Sequence, residues 1–299
     1  MRHFKAILIA VFSLTLAFTL AACSQSQQTA RNKVQVVSSL NFYGDIAKAV
    51  GGKHVQVTSI INKASIDPHD YEPSAANAKE YARAQLIISN GAGYDSWSQH
   101  YAKQNASAKS ITVAHLLKWQ NGTNEHLWYK PAMAATLARK LCTELSTLAP
   151  KHRAYFEKRR DAYLTNLNAL STLQKRAQTA LAGKRYMATE PVYDNTLLAL
   201  GAKQLNGGFA RAVDEGNDPT TAQLRTWQRA TARRSVAFVV NNPQNSSKLV
   251  RNAIQNAKKH KVPIVTITET MPNGENYIQW QSRQLRAVIR ATASTTKGN

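Results

Sequence analysis

The sequence predicts an α/β protein of two lobes, each with a mostly parallel sheet flanked by helices, joined by one long rigid helix. Three observations carry this reading. Strand and helix signals alternate from Lys33 to Ala114, the mark of parallel strands with crossover helices. Strand signals then vanish from Pro131 to about Leu181. The alternation restarts after Gly183 and runs to a closing helix.

The elements follow in order. Residues 33–39 alternate and are β-rich, a strand. Asn41 to Val50 reads as a helix stopped by Gly51-Gly52. His54 to Ile61 is a second strand, and Asn62 to Glu72 a loop punctuated by Asp67-Pro68 and Glu72-Pro73. Ser74 caps a helix to about Arg83. Gln85 to Ser89 is a short strand, Asn90-Gly91-Ala92-Gly93 turns into another helix, and Ser110 to Ala114 is a fourth strand. Pro150 divides the strandless stretch. Phe156, Tyr163, Leu167, Leu170 and Leu173 fall on one helical stripe after it. A helix of about 30 residues there would span roughly 45 Å, long enough to act as a strut.

In the second lobe, strands are expected at 184–189, 202–205, 235–240 and 262–268. Helices are expected at 195–200, 219–231, 246–260 and 275 to about 291. No strict internal sequence repeat is visible.

The first residues belong to targeting, not fold. Arg2 and Lys5 form a positive n-region before an apolar run, Ala6 to Leu20, of about 15 residues. Leu20-Ala21-Ala22-Cys23 follows and resembles the lipobox of bacterial lipoproteins, whose cysteine is diacylated. Two acyl chains give stable anchoring. The expected organisation is a signal peptide at 1–22, a flexible tether at 23–32, an α/β lobe at 33–130, a helical region at 131–183 and a second α/β lobe at 184–299. Removing the signal leaves 299 − 22 = 277 residues.

Cys23 is assigned to lipid, so Cys142 has no intrachain partner, and the fold must rest on its core. Lys and Arg total 39 against 17 Asp and Glu, a net charge of +22. The basic residues are spread along the chain and lack the aromatic interleaving of RNA binders, so nucleic acid is not the expected partner. A solvated basic surface facing an anionic envelope is the expected reading. The sequence lacks a His-Glu-x-x-His helix, a Gly-x-Ser-x-Gly elbow and a P-loop, which argues against a metal-dependent hydrolase.

Open parallel sheets bind ligands beyond the carboxyl ends of their strands. The strong donors at such positions are few. His69 sits in Asp67-Pro68-His69-Asp70-Tyr71-Glu72-Pro73, and His126 in Asn124-Glu125-His126-Leu127-Trp128. Glu190 ends a strand in Thr189-Glu190-Pro191, and Glu269 ends another in Thr268-Glu269-Thr270-Met271-Pro272. Asn241-Asn242-Pro243 ends a third, but amides are weaker donors. Two imidazoles and two carboxylates neutralise a divalent cation and fill four positions, a closed shell suited to holding rather than catalysis. Mixed nitrogen and oxygen donors suit Zn²⁺, Mn²⁺ or Fe²⁺. Glu72 is expected to be a supporting or structural carboxylate, Asp194, Asp218 and Glu275 are reserve candidates, and His54, His100, His115, His152 and His260 read as surface residues.

These motifs, with Asn90-Gly91-Ala92-Gly93-Tyr94-Asp95-Ser96-Trp97, resemble the zinc/manganese solute-binding lipoproteins of ABC importers. The resemblance covers nearly the whole mature chain. It implies one divalent ion, Zn²⁺ or Mn²⁺, carried as transported ligand between two lobes by a monomer held at the cell membrane. Delivery would be to an ABC permease. It places the family's four ligand positions on His69, His126, Glu190 and Glu269. The fourth is commonly aspartate, so Glu269 departs from the pattern. Glu125 stands where proline is frequent, and the His-rich acidic loop of some zinc members is missing from Leu116 to Glu125. Some members are described as adhesins, so a surface adhesin is the alternative reading.

Overall fold

The computed structural model describes residues 33–63, 66 and 71–296. The expected signal segment 1–22, Cys23 with the expected tether, and His69 lie outside these residues. Among the described residues no helix is long and apolar enough to cross a membrane.

Alternating apolar residues build the first sheet. Its strands are β1 (Val34–Leu40), β2 (Val55–Ile61), β3 (Leu86–Ser89) and β4 (Lys109–Thr112), all parallel in the order β2-β1-β3-β4. Period-two alternation sends Val36, Leu86 and Ile88 into the main core, and Val37 and Ile87 into a small outer cluster with Tyr81. Helices α1 (Asn41–Gly51), α2 (Ala75–Arg83), α3 (Ser96–Gln104) and α4 (Val113–Leu116) connect these strands or follow them. Ser74 caps α2 with a reciprocal bond to Asn77. Val113 and Ala114, expected in β4, instead start α4: the Ala114 amide donates to the Asn90 carbonyl and that of Leu117 to Val113, so the chain turns away from the ladder.

Helix α5 (Met133–Leu148) leads through a turn at Pro150–His152 into α6 (Arg153–Leu181), whose 29 residues span about 44 Å. The expected stripe is buried, extended by Ala177 and Leu181. His54 and His152 are half-buried rather than exposed. Their rings stack with centroids 3.6 Å apart where the turn after α1 meets the start of α6.

The second sheet contains β5 (Arg185–Ala188), β6 (Lys203–Gln204), β7 (Phe238–Asn241) and β8 (Ile264–Thr266), parallel in the order β6-β5-β7-β8. Its helices are α7 (Asp194–Ala199), α8 (Gly207–Asp214), α9 (Thr221–Ala232), α10 (Lys248–Lys259) and α11 (Tyr277–Thr296). The two lobes thus repeat one strand order without a matching sequence repeat. Helix α8 is absent from the sequence reading, because Gly207-Gly208 at its start weakens the helical signal.

The main core does not stop at the lobe boundary. One buried cluster runs from Val36 and Phe42 through Trp128 and α6 to Tyr193, Phe238 and Trp280. Phe42 lies 4.9 Å from Trp128 and 5.4 Å from Trp280 by ring centroids. Tyr129 meets Tyr193 edge-on at 4.7 Å. Helix α11, after the last strand, returns to pack along α6 and against α1.

Candidate metal centre

Each sheet has a switch point between its first and third strands, where the connections diverge and leave a crevice. In the second lobe Glu190 follows β5 and Asn242 follows β7, so both sit at that crevice. Glu269 follows β8. From the first lobe come the β3 turn at 90–94 and His126, in the connection after β4.

His126 is fully buried. Its Nε2 lies 2.8 Å from Oε1 of Glu269, itself 2% exposed, so a donor from each lobe meets across the cleft. Its other nitrogen is fixed by Asn124: Oδ1 of Asn124 accepts from the His126 backbone N–H at 2.8 Å and lies 3.0 Å from Nδ1. An acceptor at Nδ1 sets the tautomer that turns Nε2 towards the cleft. Asn195 Nδ2 donates to the same Asn124 oxygen at 3.0 Å and to the His126 carbonyl at 2.9 Å. Asn124 Nδ2 donates to the Pro191 carbonyl at 2.7 Å. The histidine is therefore held by both lobes. Burial lowers its pKa, but the bond to Glu269 and that carboxylate's charge outweigh it, and the net shift is upward.

Glu190 is buried, with Asn242 Nδ2 donating to Oε2 at 2.7 Å and Asn245 Nδ2 to Oε1 at 2.6 Å. Burial pushes its carboxyl up; the negative charge of Glu269 adds to this, while the two amides oppose it. Asn242 also reaches Oε2 of Glu269 at 3.4 Å, and Tyr94 donates to Oε1 of Glu269 at 3.4 Å. Asn242 thus links the two carboxylates without adding charge.

The β3 turn supports this wall. Asp95 accepts from the Asn90 and Gly91 amides at 2.7 and 2.8 Å. Asn90 Nδ2 donates to the Glu125 carbonyl at 3.0 Å, next to His126. Gly91 has φ +75°, and a Cβ there would lie 2.6 Å from the Thr112 side chain.

Gln244 spans the cleft. Its Oε1 accepts from the Glu269 amide at 2.7 Å, and its Nε2 donates to the Ile66 carbonyl at 3.1 Å. Ile66 stands three residues before His69 in the sequence.

The structure therefore brings His126, Glu190 and Glu269 together in one buried cleft, while His69 lies outside the described residues. Cys142 is buried on α5, so among the described residues no thiolate joins this set. Imidazole and carboxylate donors fit a borderline or hard divalent cation. Of the reserve residues, Asp194 is buried beside Tyr186 Oη at 2.7 Å, and Glu275 pairs with Arg283 on the surface. Sequence reasoning missed Asn124, Asn245, Gln244 and Asp214. Only the strand-end motif at Asn242 signalled an amide here. Asp214 closes α8 with Oδ1 4.0 Å from His126 Nε2.

A family model described as zinc-uptake complex component A, periplasmic, matches residues 36–291. The zinc-binding lipoprotein AdcA of Streptococcus pneumoniae is 23% identical over 313 residues, covering 96% of this chain and 61% of that protein. The manganese ABC transporter substrate-binding lipoprotein PsaA of the same species is 27% identical over 191 residues, 58% of this chain and 61% of PsaA. The chain thus spans 61% of the length of these two curated relatives. The periplasmic zinc binding protein TroA of Treponema pallidum has a TM-score of 0.73 at 16% identity, covering 87% of this chain and 99% of that one, a likeness of fold. A family match that runs unbroken from β1 into α11 means that this chain belongs to the ZnuA family, the periplasmic A component of zinc-uptake complexes.

Proposed function

We propose that this chain is an extracytoplasmic solute-binding lipoprotein of an ABC importer, anchored at the membrane through Cys23. It captures one divalent transition metal ion, Zn²⁺ or Mn²⁺, between the lobes and delivers it to a membrane permease. The chain acts as a monomer and performs no catalysis. The lobes are residues 33–130 and 184–299, with the helical region 131–183 between them. The ligands are His69, His126, Glu190 and Glu269.

The observation that carries this reading is the meeting of His126 and Glu269 across the lobes, with Glu190 tied to the same amide of Asn242. A buried imidazole and two buried carboxylates are costly to gather unless a cation joins them. The relatives AdcA and PsaA, one a zinc-binding lipoprotein and one a manganese transporter component, support the same cargo class.

Calorimetric titration of the metal-free chain with Zn²⁺ and with Mn²⁺ tests the proposal. One ion per chain is expected, with most affinity lost in His69→Ala and in Glu190→Ala. Tight binding retained in both variants would refute the site.

A further inference from the structure

A cavity of about 500 Å³ opens beside the cleft, between the 119–125 segment and α8. Glu125 and Asp214 line it, and the buried His126 stands behind them. One ligand atom from each of Glu125, His126 and Asp214 falls within 4.8 Å of the others. Coordinating atoms about 2.0–2.2 Å from one ion lie at most about 4.4 Å apart, so these three need only a small side-chain adjustment to close on a cation. Asp214 Oδ1 is 4.0 Å from the same Nε2 that meets Glu269 at 2.8 Å.

The setting of Asp214 adds a second argument. It is the last residue of α8, where the helix dipole disfavours an anion. Helix stability therefore does not explain it. Helix α8 is also fixed to the opposite wall: Arg211 Nη2 donates to the Gly122 carbonyl at 3.2 Å.

One carboxylate of each pair, Asp214 and Glu269, thus faces the same imidazole nitrogen. Glu190 and Glu269 lie inward, tied to Asn242. Glu125 and Asp214 border the cavity. Nε2 has a single lone pair and serves one ion at a time. We propose that Glu125, His126 and Asp214 form an outer position that receives the divalent cation from the cavity and passes it to Glu190 and Glu269, with His126 as the shared ligand. Throughout the transfer the ion keeps one nitrogen ligand while it exchanges one pair of carboxylates for the other. This inference rests on the cargo reading above.

The test uses the full-length chain in detergent, with Zn²⁺ as probe. Trp128, whose ring centroid is 5.2 Å from that of His126, reports binding by stopped-flow fluorescence. Glu125→Gln with Asp214→Asn is expected to slow association about tenfold at fixed ionic strength, with one ion still bound at equilibrium. Glu215→Gln removes an exposed rim charge outside the cluster and is expected to leave the rate near that of the unaltered chain. Equal slowing by Glu215→Gln would reduce the effect to general attraction and overturn the outer position. So would an unchanged rate in the double variant.

An equilibrium arm reads the outer position directly. In Glu190→Gln with Glu269→Gln, weak binding of one ion is expected to persist and to disappear on adding Asp214→Asn. Residual binding that is absent, or indifferent to Asp214→Asn, would overturn the proposal. If the unaltered chain bound no ion, the cargo reading would fall and this inference with it.

Discussion

His126 Nε2 and Glu269 Oε1 lie 2.8 Å apart although 143 residues separate them in the chain. Nδ1 faces an amide oxygen and Nε2 a carboxylate, so in the metal-free cleft both nitrogens have reason to carry a proton. The net upward pKa shift agrees with this. A cation must displace the Nε2 proton. Affinity should therefore fall as pH falls through the raised pKa, and binding below it should release about one proton from this group. Titration calorimetry in two buffers of different ionisation heat measures that release. Identical heats at pH 6 would contradict it.

Gln244 joins elements that the chain otherwise keeps apart. It holds the Glu269 amide, the Ile66 carbonyl and Thr270 Oγ1 together. Gln244→Leu should loosen the Ile66 backbone from the Glu269 strand end and speed metal release roughly tenfold, the equivalent of about 1.4 kcal/mol, which is the scale of a hydrogen bond. A chelator chase followed with time gives the release rate. A rate equal to that of the unaltered chain would remove Gln244 from the account.

Asp194 should make stability depend on pH. Burial is the main cause that pushes its carboxyl up to about 6 from the ordinary 3.8. A folded pKa above the unfolded one means that stability is fully present below pH 3.8 and lost as pH rises through 6. The loss is about 3 kcal/mol at most, from (6 − 3.8) × 1.36. Asp194→Asn keeps an acceptor for Tyr186 and removes the charge. Its melting temperature should exceed that of the unaltered chain by several degrees at pH 7.5 and match it near pH 4. Thermal unfolding across that range decides it; a constant difference would show that the charge is not the cause.

The continuous core resists hinge motion. Phe42, Trp128 and Trp280 form one aromatic group, and hydrogen bonds cross it: Tyr277 Oη donates to the Trp128 carbonyl at 2.7 Å and Asn41 Nδ2 to that of Met271 at 2.7 Å. Metal binding should leave the radius of gyration nearly unchanged, which solution scattering measures; a large contraction would refute this. Phe42→Ala should cost about 3–5 kcal/mol in urea unfolding, because the cavity it leaves lies in a core shared by both lobes.

Sequence periodicity located five of the eight described strands to within one residue at each end, the other three to within three, and the long helix closely, since burial on one face leaves a period in the chain. The strand ends, and with them the positions of Glu190 and Glu269, followed from that period. What it could not expose is geometry set by neighbours from the other lobe. Asn124 and Asn245 are ordinary loop amides until His126 and Glu190 are beside them. Asp214 was hidden because α8 opens on two glycines and its carboxylate sits at an end where helices rarely keep one. The repeated strand order was equally invisible, since topology is carried by connections and not by residue identity.

That repeated order has a consequence for how the protein keeps what it binds. Each half on its own offers an open trough at its strand ends, as any such sheet does. Here the troughs face each other, and each serves as the roof of the other, with Asn124 and Gln244 as rivets between them. Neither half owns the chamber, so cutting the chain at α6 would yield two bowls and no vessel.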